Sequence, residues 1–233
     1  MKKAKEKENK KPILFVYSPG PCNSDYVAFL SKRWNVKLVD ILKDPTQSID
    51  LILFTGGADV SPSYYGEEVG EFTQVNIPRD RKDFTTFEKF QNVPKLGICR
   101  GAQFLTVANG AKLIQDVKNH AIGKTHSMNI TVEKWDMYDY KYEITSTHHQ
   151  MMNPFCLNKE AFQLIAFSTC FLSPSYLNGL NSEIKLKDDF LEPEIVFYKK
   201  SKSLAIQGHP EMRSCPLDTK ELCLDLIEEY LLR

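Results

Sequence analysis

The chain has 233 residues, 42% apolar and 26% charged, with Lys plus Arg equal to Asp plus Glu at 30 each. That length holds one large domain or two small ones and can bury a full core without disulfide staples. Zero net charge argues against a strongly basic nucleic-acid binder, and no window approaches the roughly 18 apolar residues of a membrane span.

The charge is uneven along the chain. Residues 1–11 carry six Lys and two Glu, a net of +4, against −4 for the remainder. They hold no apolar stretch, so they are not a secretory signal and are read as a disordered basic tail. Residues 12–233 are expected to form a single domain. Six cysteines at 22, 99, 156, 170, 215 and 223 form no disulfide framework and no Cys-x-x-Cys pair. Together with the missing signal this predicts reduced thiols in a cytoplasm.

The apolar run Pro12-Ile-Leu-Phe-Val-Tyr17 ends at Ser-Pro-Gly-Pro and reads as a buried strand. A helix is predicted over 24–34, then strands over 36–41 and 49–54, the latter stopping at Thr-Gly-Gly. A helix over 83–92 precedes a strand over 94–98 and a third helix to about Asn109. Nearly all-apolar strands alternating with helices predict an α/β fold with a mostly parallel central sheet flanked by helices. Residues 127–147 and 161–170 read as strands with no long helix between them, an antiparallel addition to that sheet. A hairpin is predicted from 194–199 and 203–207. The last helix is read from a capping-box-like Asp218-x-x-Glu221.

The most informative stretch is Leu96-Gly-Ile-Cys-Arg-Gly-Ala-Gln103, a strand running into a helix through a nucleophile-elbow pattern with Cys in place of Ser. The tight turn strains the nucleophile's backbone, and the residues two before and two after must be small. Cys99 would sit exposed at the carboxyl end of the sheet and at a helix N-terminus, which favours thiolate. Cys22, Cys156, Cys170, Cys215 and Cys223 lack this setting and are read as structural.

A thiolate needs a base, and the base an orienter. In His209-Pro-Glu211, residues i and i+2 of an extended segment project to one side, so Glu211 can fix the tautomer of His209. In Leu51-Ile-Leu-Phe-Thr-Gly56-Gly57-Ala-Asp59, two glycines after a buried strand let N–H groups turn outward. With the N–H of Arg100 they could hold an oxyanion.

These three segments, in this order, resemble the class I glutamine amidotransferase superfamily over nearly the whole chain after the tail. Gly-Gly-Ala-Asp-Val-Ser-Pro-Ser-Tyr-Tyr-Gly-Glu67, Arg79-Asp80, Arg100 after the Cys, Asn109-Gly110 with Gln115-Asp116, and Thr147-His-His-Gln150 are similar to the gamma-glutamyl hydrolase (cysteine peptidase) branch and to phage-type glutamine amidotransferases. The resemblance implies a flavodoxin-like domain and a Cys99–His209–Glu211 amidase that cleaves a gamma-glutamyl amide through a thioester. It implies an oxyanion hole of Gly57 and Arg100. It also implies a glutamyl pocket touched by Gly56, Gln103 and His148 or His149, with no cofactor. Where the family often has an aromatic before the histidine this chain has Gly208, which is expected to widen the pocket.

Three alternatives stand beside that reading. A glutaminase subunit would supply ammonia to a separate ATP-dependent synthetase, for which this chain has no room. A non-catalytic module would only bind a glutamyl ligand. A chaperone or glyoxalase-type relative would need a Glu after the first strand, where residue 18 is Ser. His120 and His126 fall in an expected loop and are read as surface residues. His148 and His149 point to opposite strand faces and offer at most one metal ligand, and no further ligands sit at metal spacing, so zinc is excluded. Trp135, Tyr138, Tyr140 and Tyr142, interleaved with Asp136 and Asp139, read as a half-exposed strand pair rather than a nucleic-acid platform.

Overall fold

A computed structural model describes residues 11–136, 140–169, 173–186 and 190–233. The basic-tail reading, apart from Lys11, and those of Cys170, Tyr138 and Asp139 lie outside the described residues. In chain order the elements are β1 (Ile13–Tyr17), α1 (Ser24–Leu30), β2 (Asn35–Leu38), β3 (Leu51–Phe54), α2 (Ile77–Lys89), β4 (Lys95–Ile98) and α3 (Arg100–Ala108). Then follow β5 (Lys112–Ile114), β6 (Asp116–Val117), β7 (Lys124–Ile130), β8 (Tyr142–Ser146), β9 (Met151–Asn153) and β10 (Phe162–Ser168). The chain ends with β11 (Tyr176–Leu177), β12 (Pro193–Tyr198), β13 (Ser203–Ile206) and α4 (Leu217–Ile227).

Nine strands form one sheet in the order β2-β1-β3-β4-β13-β12-β10-β7-β8. The first five are parallel neighbours and the last four are added antiparallel. This is the expected mixed sheet, and the β12–β13 hairpin forms across residues 199–202. Period-2 alternation divides the side chains of β1, β3 and β13 between two cores, while β4 contributes to one of them. Leu14, Val16, Leu51, Leu53, Leu96, Ile98, Leu204 and Ile206 pack on α1 and α4. Tyr17, Ile52, Phe54 and Ala205 pack on the face where α3 places Phe104 and Leu105 and α2 places Phe84 and Phe87.

Several boundaries differ from expectation, each for a local reason. The first helix ends at Leu30, and residues 31–34 turn away. Helix α2 begins at Ile77, six residues before the predicted start, because Asn76 caps it and Pro78 suits its first turn. The predicted 127–147 strand is two strands, β7 and β8, paired with Ser127 opposite Glu143. Helix α4 has no capping box: it begins at Leu217 after Pro216, and Glu221 pairs with Arg33 instead. Two small antiparallel pairs, β5–β9 and β6–β11, were not foreseen. Of their four strands only β11 falls within 155–195, the stretch whose sequence resembles no part of the family. Trp135 is half-buried against Tyr230 and Tyr142 is buried, while Tyr140 pairs with Asp218. No helix among the described residues is long and apolar enough to cross a membrane.

Candidate active site

The parallel strands deliver their carboxyl ends to one edge, and the chemistry collects there. Strand β4 runs straight into α3 through Cys99, whose φ of 54° and ψ of −113° lie outside ordinary non-glycine space. Such a backbone persists only where its surroundings over-determine it. Both expected small residues are required. A Cβ on Gly101 would overlap the Phe54 carbonyl, and one on Gly97 would overlap the carbonyl of Gly101. The elbow thus exists because β3, β4 and α3 touch backbone to backbone.

His209 follows β13, the sheet neighbour of β4, and its N–H donates to Thr145 O at 2.9 Å. Its Nδ1 lies 2.7 Å from Glu211 Oε1. Burial by itself would lower the imidazole pKa, but the neighbouring Cys99 and Glu211 outweigh it and raise the value to about 10. Cys99, His209 and Glu211 are all buried. Gly56 is the point where these parts meet. A Cβ there would stand 3.5 Å from His209 Cε1 and 3.9 Å from Cys99 Cβ.

A cavity of about 440 Å³, within the ordinary range for ligand pockets, opens beside the sulfur and is lined by Gly57, Asp59, Cys99, Gln103, His148 and His149, among others. Gln103 Nε2 donates to Gln150 O at 2.9 Å. The adjacent histidines part company. His149 Nε2 lies 3.1 Å from Asp59 Oδ2 and is partly open to the cavity, and that hydrogen bond raises its pKa. His148 is buried, with Nδ1 2.8 Å from Gln150 O, and burial followed by the neighbouring His120 pushes its pKa down to about 3.

Arg100 divides its backbone from its side chain. Its N–H opens α3, where the helix has no use for it. Its guanidinium is buried away from the cavity on Asp80 and Asp83, with Nε 3.2 Å from Ala58 O. Arg79 joins the same group through Asp83 and the carbonyl of Thr55. The network clamps the Thr55–Ser61 loop to the elbow, since Asp80 also accepts the Ser61 N–H at 3.1 Å. The Tyr64-Tyr65-Gly-Glu67 segment lies outside the cavity lining: Tyr64 stacks on Phe84 and Glu67 pairs with Lys112.

Some expectations need correction. Gly208 does not widen the pocket, because a Cβ there would meet Ile144 at 2.5 Å and the space belongs to β8. His120 and His126 are not surface residues: both are buried, and His126 lies on β7. They converge with His148 and Glu194, so the spacing argument against a metal loses its premise. Cys215 and Cys223 are buried as expected for structural thiols, whereas Cys156 is exposed. Two site residues escaped the sequence reading. Tyr26, taken as an apolar helix residue, accepts the Gly56 N–H at 3.0 Å. Asp59, seen only as the end of a glycine motif, lines the cavity and holds His149.

Fold and sequence together define a class I glutamine amidotransferase-like protein. The Peptidase C26 profile matches residues 35–211, and the chain belongs to that family. The glutamine amidotransferase-like protein YvdE of Lactococcus lactis subsp. lactis is 29% identical over 192 residues, spanning 81% of this chain and 76% of that one. Protein NtpR of Enterococcus hirae is 23% identical over 201 residues, spanning 78% and 75%. Among solved structures, PurLQS from Thermotoga maritima superposes with a TM-score of 0.59 at 17% identity, covering 94% of this chain and 98% of that one. A glutamine amidotransferase from the same organism gives 0.53 at 17%, covering 93% and 84%. At such identities the solved structures establish the fold.

Proposed function

We propose that the protein hydrolyses a gamma-glutamyl amide bond with Cys99 as nucleophile, His209 as acid and base, and Glu211 as the orienter of His209. The observation that carries this reading is the strained Cys99, which lines the 440 Å³ cavity, beside a histidine whose Nδ1 is held at 2.7 Å by a buried carboxylate. Membership of an amidase family is consistent with it.

The chemistry follows from the positions. At rest His209 already holds the proton of the Cys99–His209 pair, and the Cys99 thiolate attacks the delta-carbonyl carbon of the substrate, forming a C–S bond. The oxyanion is held by the N–H groups of Gly57 and Arg100, since Gly56 gives its own to Tyr26. The C–N bond breaks as His209 donates its proton to the departing amine. Water then loses a proton to His209 and attacks the thioester, releasing glutamate and restoring the thiolate. Gln103 and His149, with Asp59 behind it, contact the glutamyl moiety.

The test is glutamate release from glutamine and from a panel of substituted gamma-glutamyl amides, with wild type and Cys99→Ala. Turnover of a substituted amide by the wild type alone, absent in the variant, is the expected result. Turnover of glutamine only with an added synthetase would instead make the chain a glutaminase subunit. Equal traces from both proteins would leave a glutamyl-binding module and remove Cys99 as nucleophile.

A further inference from the structure

Behind the Thr147–Gln150 wall of the cavity, four side chains from distant segments converge. His120 comes from the loop before β7, His126 from β7, His148 from the loop after β8 and Glu194 from β12. They are 0%, 8%, 3% and 0% exposed. One potential ligand atom of each lies within 4.8 Å of the others. His120 Nδ1, His126 Nε2, His148 Nε2 and Glu194 Oε2 are buried atoms with no hydrogen-bond partner. Leaving one such atom unpaired is costly, and four together call for a common partner.

The outer atoms say which partner. His120 Nε2 faces Glu192 Oε2 at 3.2 Å, His148 Nδ1 faces Gln150 O at 2.8 Å, and His126 Nδ1 faces Ser127 O at 3.4 Å. All three neighbours can only accept, so each outer nitrogen carries the proton and each inner one presents a lone pair. Carboxylate or carbonyl support of the far nitrogen is how metal-binding imidazoles are oriented. Glu194 Oε1 accepts from Ser168 Oγ at 2.9 Å, which leaves Oε2 turned inward. His126 Nε2 stands 3.2 Å from Glu194 Oε1, off the line of a hydrogen bond. The interior therefore presents three ring nitrogens and a carboxylate oxygen to one point, a donor set that a single cation satisfies together.

We propose that His120, His126, His148 and Glu194 form a closed tetrahedral zinc(II) site. Imidazole and carboxylate ligands suit zinc, whose bonds of about 2.0–2.1 Å space ligand atoms about 3.4 Å apart, so the cage draws in by up to about 1.4 Å. Four protein ligands leave no open position, so the ion is structural. It ties β12 to β7 across β10, which lies between them, and pins the wall that carries His148. The Gln150 carbonyl that supports His148 also receives Gln103 Nε2 at 2.9 Å, so the ion would set a cavity-lining side chain through one intervening atom. That last effect rests on the cavity being the substrate pocket, whereas the site itself does not.

The experiment measures metal content by mass spectrometry in untagged protein grown with added zinc and dialysed against a chelator. Cys99→Ala is measured alongside, so that the thiol is not the binder. About one zinc per chain is expected in both, with a visible spectrum of tetrahedral intensity after cobalt(II) substitution. Glu194→Gln and His148→Asn should each retain less than about a tenth of that zinc. Should either variant fail to fold, wild type refolded with zinc is compared with wild type refolded in chelator, and the zinc form should melt higher. Less than about a tenth of an equivalent in wild type after both growth and refolding with zinc would overturn the site. Stoichiometric binding of a different first-row ion would overturn the zinc assignment, and full zinc retention in both variants would place the ion elsewhere. Amide hydrolysis is not a readout, so loss of the functional reading leaves this result standing.

Discussion

The Tyr26 hydroxyl accepts the Gly56 N–H at 3.0 Å and so ties α1 to the strand end that carries Gly57. Burial raises the Tyr26 pKa, and the nearby Glu211 adds to the effect, so the phenol stays neutral. Tyr26→Phe removes this tether and little volume. A net hydrogen bond of about 0.5–1.5 kcal/mol translates to a fall in kcat of roughly 2–13-fold. KM should move less, because the tether positions the oxyanion donor rather than the glutamyl group. Steady-state kinetics on the best amide of the panel check both numbers.

His209 keeps its proton to about pH 10 in the folded protein, well above its ordinary value. Since the folded pKa is raised, the stability this residue contributes is complete below about pH 6.5 and is lost as pH climbs to about 10. Melting temperature against pH should show that decline in wild type and not in His209→Gln. A decline of equal size in the variant would assign it to other groups.

Glu211→Gln tests the orienter. Replacing an acid that holds the imidazole tautomer by its amide costs on the order of 10⁴-fold in kcat in a Ser-His-Asp triad, and a loss of that order is expected here. The alkaline limb of kcat/KM should also move to lower pH, because the carboxylate is one of the groups that hold the His209 proton. Loss of rate with an unmoved limb would show that Glu211 acts on something other than His209.

The glycines of the elbow differ from glycines that serve only a turn. Gly101→Ala has no room beside the Phe54 carbonyl and must push β3 from α3. It should destabilise by about 3 kcal/mol or more, at the upper end of overpacking costs. Gly66→Ala, at a φ of 74° with nothing within 4 Å, carries only the left-handed penalty of about 1–2 kcal/mol. Urea unfolding of both variants checks the order, and equal midpoints would contradict it.

Arg100 carries two roles that one substitution separates. Arg100→Ala keeps the backbone N–H but strands Asp80 and leaves Asp83 to Arg79 alone. Breaking such a buried pair should cost about 3–5 kcal/mol. Arg100→Lys should recover little, since one ammonium cannot reach two carboxylates and the Ala58 carbonyl with fork geometry. The urea midpoint at unchanged m-value measures both.

The sequence by itself determined what rests on neighbours in the chain. All-apolar strands reveal the parallel sheet, because both their faces are buried. Gly97-Ile-Cys-Arg-Gly101 reveals the elbow, because strand, turn and helix are consecutive and the turn admits only glycine at both ends. His209 and Glu211 sit two apart, so their pairing follows from strand geometry. The tertiary structure alone decided whatever depends on segments meeting across the fold. Tyr26 reaches Gly56 from 30 residues away, and Arg100 turns its side chain from the cavity to meet Asp80 and Asp83 on α2. His120 and His126 become interior where they converge with His148 and with Glu194, which stands on β12 with β10 between it and β7. Chain neighbours constrain one another by fixed geometry, whereas convergence of distant residues is set by packing and leaves no regular spacing to read.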